Sequence, residues 1–285
     1  MGWIESIGDA IRYMEEHITE ELDVEEIAGR TYLSPFYFQK GFSMLCGFTV
    51  GEYIRQRRLT LAGNDLVFSS ERIIDIAMKY GYDSPDSFTK AFTRFHGVTP
   101  SAARKDGAIL KTFAPLVIEL SLKGGFIMDY KVIEKDAFTI LGKSRMFKYD
   151  TSKAEIPAFW SEHYKAGHSN VVCGMYGICI DDNPGTDEFE YLIADNYNPA
   201  AEIPNGFVTR VIPPHTWAVF PIRGAMPDAL QNANHKIFSE WLPNCKEYDI
   251  AAGINVEMYD DPKKVPNGTG DENYYTEIWI PVKKK

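Results

Sequence analysis

Apolar positions in the first third of the chain recur at helical spacing, and the same arrangement occurs twice. Ile27 and Ala28, then Ser34, Phe38 and Phe42, are answered by Ile76 and Ala77, then Ser84, Phe88 and Phe92. In each set an Ile-Ala pair opens the buried face of one helix. A turn then brings a Ser to the start of the next helix, and two Phe four residues apart seat it. This is the periodicity of a helix-turn-helix, whose second helix is held out for the DNA major groove.

The intervening pattern fills in the rest of a helical domain. Residues 3–18 read as an amphipathic helix with Trp3, Ile7, Ala10, Ile11, Met14 and Ile18 on its apolar face, and Asp23 caps a short helix through Ala28. Ser34-Pro35 starts the next helix, with Pro at the first helical position, where no N–H partner is required. That helix, running to about Leu45, is expected to bury Phe38 and Phe42 and to expose Phe36, Tyr37, Gln39 and Lys40. A long helix from about Val50 to Phe68 follows, carrying Arg55, Arg57 and Arg58 as candidate phosphate contacts. Its length of roughly 28 Å is close to the ~34 Å between successive major-groove faces, so it suits a strut between two recognition helices. The second unit runs from Ile73 through Tyr80-Gly81-Tyr82 to a helix over about Pro85 to His96. Gly97-Val98-Thr99-Pro100-Ser101 then opens a last short helix.

After Asp106 the periodicity changes. Alternation over Pro115 to Leu122 predicts a strand, which Lys123-Gly124-Gly125 breaks. The organisation expected is a helical domain over residues 1–106, a linker with a short strand over 107–127, and a second domain over 128–285. The second domain reads as strand, helix, strand, strand, twice. Phe138 to Gly142 is answered by Trp217 to Ile222, and the helix around Ala158 to Tyr164 by one of about Asp228 to Leu242. Met175 to Ile180 is answered by Ile254 to Tyr259, and Phe189 to Ile193 by Thr276 to Ile280. The fold class is therefore an all-α bipartite helix-turn-helix domain followed by a duplicated α+β domain, with a groove on its pseudo-twofold axis.

Charge distribution supports this division. The formal net charge is −10, yet residues 27–105 hold eleven Lys/Arg against six Asp/Glu, whereas residues 126–285 hold 23 acids against 16 bases. DNA affinity follows local positive charge, so the basic segment coincides with the helix-turn-helix pattern. Cys46, Cys173, Cys179 and Cys245 show no metal-ligand or disulfide spacing and are expected as thiols in a reducing cytoplasm. No signal peptide or membrane-spanning run is read, and no cofactor or metal is expected.

In the second domain, Glu190 and Glu277 fall at matching places in the two final strands. Alternation puts Tyr275, Glu277 and Trp279 on one face and Tyr274, Thr276, Ile278 and Ile280 on the other. A carboxylate flanked by aromatics suits a bulky cation or amphiphile through charge and cation–π attraction. The competing reading is a surface Glu with gap-filling aromatics.

Residues 1–105 resemble the AraC/XylS DNA-binding domain through Ile76-Ala77, Gly81-Tyr82, Ser84, Phe88, Phe92 and Gly97-Val98-Thr99-Pro100-Ser101. The resemblance implies a bipartite module binding double-stranded DNA. Its base-facing residues would be Phe36, Gln39 and Lys40, with Tyr37 beside them, and Pro85, Asp86, Ser87 and Lys90, with Arg94 one turn further on. Gln suits adenine and Lys suits guanine acceptors, whereas Asp86 departs from the pattern and could accept from cytosine N4. The second half resembles the GyrI-like effector-binding domain through Ile212-Pro213, Trp217-Ala218-Val219-Phe220 and Tyr275 to Val282. That resemblance implies a small lipophilic or cationic ligand in a groove lined by Glu277, with Trp160, Tyr176 and Trp241 as further walls. The domain order is similar to the Rob type of AraC-family regulator, with RNA polymerase as a further partner. The expectation is a one-component transcriptional regulator and not an enzyme. The alternatives are a hydrolase using Glu190 and Glu277, or a groove for a protein partner. His163, His168, His215 and His235 are scattered and read as structural or surface residues.

Overall fold

In the computed structural model, the described residues are 3–31, 33–105, 108–118, 128–182 and 188–285, the side chains of residues 3–5 excepted. They form two compact units. The first comprises residues 1–32 with 48–121, and the second residues 33–47 with 122–285.

The helical region contains α1 (Trp3–Glu16), α2 (Val24–Gly29), α3 (Pro35–Cys46), α4 (Val50–Phe68), α5 (Ile73–Lys79), α6 (Pro85–His96) and α7 (Pro100–Ala103). Local chemistry sets these boundaries. The Asp23 side chain accepts from Glu25 N at the start of α2. Thr49 and Glu52 form a reciprocal capping box at α4. α3 and α6 share one device: a Ser cap, Pro in the first turn, and a left-handed Gly at the C-terminus, Gly47 at φ 80° and Gly97 at φ 83°.

The first unit's core joins Leu59, Ala62 and Leu66 of α4 to Ile76, Ala77, Tyr80, Phe88, Phe92 and Ala103. Only Arg55 of the three candidate phosphate ligands on α4 is exposed. Arg57 forms a two-pronged ion pair with Glu15, both contacts at 2.8 Å, and donates to the Phe113 carbonyl. Arg58 donates to the carbonyls of Ile18 and Glu20. Arg57 and Arg58 are thus engaged within the unit, and Arg55 is the one of the three left facing solvent.

His96 is a further buried group of this unit. Its Nε2 lies 2.9 Å from the Leu59 carbonyl, and its Nδ1 accepts from Lys111 N at 3.2 Å. Only a neutral ring with its proton on Nε2 satisfies both contacts. Burial pushes the pKa below its ordinary 6.5, despite the opposing carbonyl contact. The folded form therefore binds the proton less well than the unfolded chain. We expect this unit to lose stability as pH falls from about 6.5 through the depressed folded value. His96→Gln should remove that step, as read by urea denaturation between pH 7 and 5; an unchanged pH profile in the variant would assign the step elsewhere.

Residues 108–118 form no regular element. The strand expected over Pro115–Leu122 is thus absent through Ile118, and residues 119–122 lie outside the described residues. Val117 and Ile118 are exposed, and among the described residues no strand pairs with this stretch; the Leu116 N–H donates to the Tyr53 hydroxyl instead.

The second unit is built on one antiparallel sheet. Its strands are β1 (Lys131–Lys135), β2 (Phe138–Lys148), β3 (Tyr176–Ile180), β4 (Glu188–Asn196), β5 (Val208–Ile212), β6 (His215–Arg223), β7 (Tyr248–Ile250), β8 (Ile254–Tyr259) and β9 (Tyr275–Lys284). The order is β1-β6-β9-β8-β3-β4-β2-β5, with β7 against the end of β9. The helices are α8 (Tyr149–Lys165) and α9 (Asp228–Lys236), the latter continued by a π-type turn over Ile237–Trp241 and by α10 (Leu242–Asn244). The duplicated unit is explicit: β2-α8-β3-β4 and β6-α9-β8-β9 meet where β3 pairs with β8, with Ile178 opposite Val256. Register places Val219, Trp279, Val256, Ile178, Leu192 and Ser144 in one row on one face. Phe220, Ile278, Glu257, Gly177, Ile193 and Lys143 form the neighbouring row on the other. The helices cover this second face, as Phe147 against Phe159 at 5.7 Å and Phe220 against Trp241 at 4.9 Å record.

Candidate functional site

α6 presents the surface expected of a groove-reading helix. Phe88 and Phe92 are fully buried, whereas Pro85, Asp86, Ser87, Lys90 and Arg94 are exposed. α3 does not present that surface, and here the sequence expectation is corrected. Phe36, Tyr37 and Gln39 are 2%, 0% and 7% exposed, and Lys40 is half-buried. Their environment belongs to the second unit. The Phe36 ring lies 6.2 Å from Tyr149 and 6.1 Å from Phe189. The Tyr37 ring lies 6.1 Å from Phe238, and its hydroxyl donates to the Ile254 carbonyl at 2.7 Å. Lys40 Nζ donates to Asn255 Oδ1 at 2.7 Å. α3 carries aromatic side chains nearly all round, so the face left over after Phe38 and Phe42 are buried is itself apolar.

In the second unit, Tyr275, Glu277 and Trp279 share one face of β9, as alternation predicts. Glu277 is 5% exposed. Its Oε1 accepts from Tyr275 at 2.6 Å and Lys131 at 3.2 Å, and its Oε2 from Trp279 Nε1 at 2.6 Å. Burial raises its pKa, but the three donors outweigh that and hold the carboxyl below its ordinary value. Lys135 stands 4.8 Å from the Phe138 ring centre and 5.6 Å from that of Trp279. Tyr176 lies 6.3 Å from Trp279 on the same face. Glu190 also lies on this face, but Arg210 holds it through two contacts at 2.7 and 3.0 Å, and Ser144 donates to it. Each of the two carboxylates thus has a cation of its own, Lys131 for Glu277 and Arg210 for Glu190.

Trp160 and Trp241 are not part of that cluster. Both belong to the helix-covered face: Trp160 Nε1 donates to Tyr191 OH at 2.9 Å, and Trp241 packs on Tyr130 and Phe220. The reason is topological. In a strand-helix-strand-strand unit the helix covers one face, and its side chains cannot line the face that carries Glu277.

What Trp160 does approach is a carboxylate the sequence reading passed over. Glu257 Oε2 accepts from Tyr259 OH at 2.8 Å and lies 3.4 Å from Tyr191 OH. The Trp160 ring is 5.4 Å from that of Tyr259. Burial, followed by the Glu257 charge, pushes both tyrosine hydroxyls well above their ordinary pKa. Gly177 stands opposite, where a Cβ would lie 2.2 Å from Tyr191 OH; glycine is the residue that leaves room for this cluster. A signal was available: Asn255, Glu257 and Tyr259 are polar and aromatic positions alternating within an otherwise apolar strand, the same pattern as Tyr275, Glu277 and Trp279.

A separate cleft of about 330 Å³ lies beside Arg223, Asp260, Lys264 and Tyr275. Lys264 pairs with Asp260 there at 2.7 Å, and no buried carboxylate lines it. Among the described residues no group of three or more His, Cys, Asp or Glu is placed to hold a metal. No described helix is long and apolar enough to cross a membrane.

Residues 131–282 match the family of integron-associated effector binding proteins, Cass2, and residues 27–106 match a helix-turn-helix domain family. The chain is 40% identical over 98 residues to the regulatory protein SoxS of Escherichia coli K12, covering 34% of this chain and 92% of SoxS. It is 36% identical over 100 residues to the transposon Tn10 TetD protein of Escherichia coli, covering 35% and 72%. Among solved structures, SAV2435 bound to tetraphenylphosphonium is similar over 55% of this chain and 94% of its own, with 25% identity and a TM-score of 0.45. The chain belongs to the AraC family of helix-turn-helix transcriptional regulators and carries a GyrI-like effector-binding domain of the Cass2 type.

Proposed function

We propose that this regulator reads DNA sequence with α3 and α6, and that its effector site is the Glu257 cluster on the helix-covered face of the sheet. The carrying observation is a carboxylate held against Tyr191 and Tyr259, with Trp160 beside it, where the two repeats meet. A lipophilic cation gains charge attraction from Glu257 and cation–π contact from the surrounding rings. Glu277 offers the same ingredients on the opposite face, but Lys131 already supplies its cation, so a ligand there must first displace that ammonium.

Tetraphenylphosphonium serves as the probe, with affinity measured by calorimetry on the full chain. Glu257→Gln should weaken binding by about tenfold or more, equivalent to about 1.4 kcal/mol, while Glu277→Gln should leave it within about twofold. The reverse pattern would move the site to the other face. No binding to either form would remove the cation assignment.

For DNA, Lys90→Ala should lower the slope of log affinity against log salt by about one. Gln39→Ala should relax base preference at one position. Unchanged behaviour in both variants would take these helices out of DNA readout.

A further inference from the structure

We infer that α3 is a built-in occupant of the effector unit, so that the base-reading surface of the first helix-turn-helix is masked until α3 undocks. The inference rests on the reading of α3 as a base-reading helix. Of the four residues assigned to base contact on α3, Phe36, Tyr37 and Gln39 are buried and Lys40 is half-buried. Three of them engage specific groups of the effector unit. Phe36 lies against Tyr149 and Phe189, Tyr37 against Phe238 and the Ile254 carbonyl, and Lys40 on Asn255. Tyr149 and Phe189 come from the first repeat, Phe238 and Asn255 from the second. α3 therefore bridges both halves over the pairing of β3 with β8.

Gln39 supplies the independent observation. Its Nε2 is buried without a hydrogen-bond partner, and a buried unsatisfied amide disfavours the state that contains it. The docked state thus leaves unused the side chain best suited to an adenine edge. A helix cannot lie in a major groove and keep these rings inside a protein core, so docking and base reading by α3 exclude one another. The seat also adjoins the proposed ligand site. Asn255 and Glu257 are successive same-face positions on β8, roughly 7 Å apart, so a bulky cation at Glu257 competes with Lys40 and its helix for that face.

The test uses the full chain and a DNA fragment selected for specific binding by the wild type. Asn255→Ala removes the Lys40 partner from the effector side and alters no residue assigned to DNA. Weakening a strongly populated docked state raises apparent DNA affinity by the same factor, here about fivefold to tenfold. Phe238→Leu, which trims the ring beside Tyr37, should act in the same direction and replaces Asn255→Ala if that variant fails to fold.

Cys179 provides a second readout. It is the cross-strand partner of Asn255, is 7% exposed, and lies within electrostatic reach of Tyr37 and Lys40. Its alkylation, followed by mass spectrometry, should accelerate when specific DNA is added. Saturating tetraphenylphosphonium should raise wild-type DNA affinity towards that of Asn255→Ala. Folded variants with unchanged DNA affinity, together with equal Cys179 protection with and without DNA, would overturn the masking. Bound probe with no rise in DNA affinity would overturn the competition. If Gln39→Ala leaves base preference intact, it is the base-reading role of α3 that fails, which separates the two readings.

Discussion

Arg57→Ala is expected to destabilise the first unit by about 3 kcal/mol while leaving the salt dependence of DNA binding by the folded fraction unchanged. Arg57 is 6% exposed and spans Glu15 and the Phe113 carbonyl. Truncation leaves the Glu15 carboxylate with the Tyr53 hydroxyl at 2.7 Å as its remaining close donor. Removing one partner of a buried ion pair costs more than the pair contributes, because the other charge stays behind. Burial raises the Glu15 pKa, and donation from Arg57 and Tyr53 overcomes it to hold the group below its ordinary 4.5. The pair therefore stabilises the fold above about that pH and is lost as pH falls through the depressed folded value. Urea denaturation at pH 7 measures the loss, and a double replacement of Glu15 and Arg57 by Met should recover most of it. A stability change under about 0.5 kcal/mol with a salt slope reduced by about one would instead make Arg57 a phosphate ligand.

Phe88→Ala is expected to cost about 3–5 kcal/mol, a large fraction of the 5–15 kcal/mol typical of a domain. The ring is fully buried, 5.3 Å from Tyr82 and 5.4 Å from Phe92. It fastens α6 to the core shared with α4 and α5. The cavity left behind removes the seat of the exposed helix face, so DNA binding should fall along with stability. Phe88→Leu keeps most of the volume and should cost less than about 1.5 kcal/mol, with DNA affinity nearly intact. If Phe88→Leu abolished DNA binding at unchanged stability, the ring would be a DNA contact and not a core residue.

Both expectations concern residues whose types were legible in sequence but whose partners were not. The Ile-Ala pairs, the Ser-Pro starts and the Gly stops could be read directly, because capping and periodicity are satisfied within a few residues. The duplicated strand-helix-strand-strand unit was readable for the same reason. So was the shared face of Tyr275, Glu277 and Trp279, which alternation alone sets. Charge could be read only as a total over a segment. Arg57 and Arg55 are alike in sequence, yet one lies within the first unit's interior and the other faces solvent.

Which aromatic rings share a face with which carboxylate turned on topology. The family resemblance implies Trp160 as a wall of the groove lined by Glu277, but the helix of each unit covers only one face of its sheet. Trp160 therefore meets Glu257, through Tyr191 and Tyr259. By itself, the sequence determined two helix-turn-helix units, a duplicated α+β domain, and the helix on which each candidate base-reading residue lies, since all of these follow from short-range periodicity. That α6 is open while α3 is held by Phe189, Phe238, Ile254 and Asn255 emerges from long-range packing alone. Burial of a helix face depends on surfaces contributed from distant parts of the chain, up to 217 residues away for the Tyr37–Ile254 contact, and no local pattern encodes which of two similar helices meets them.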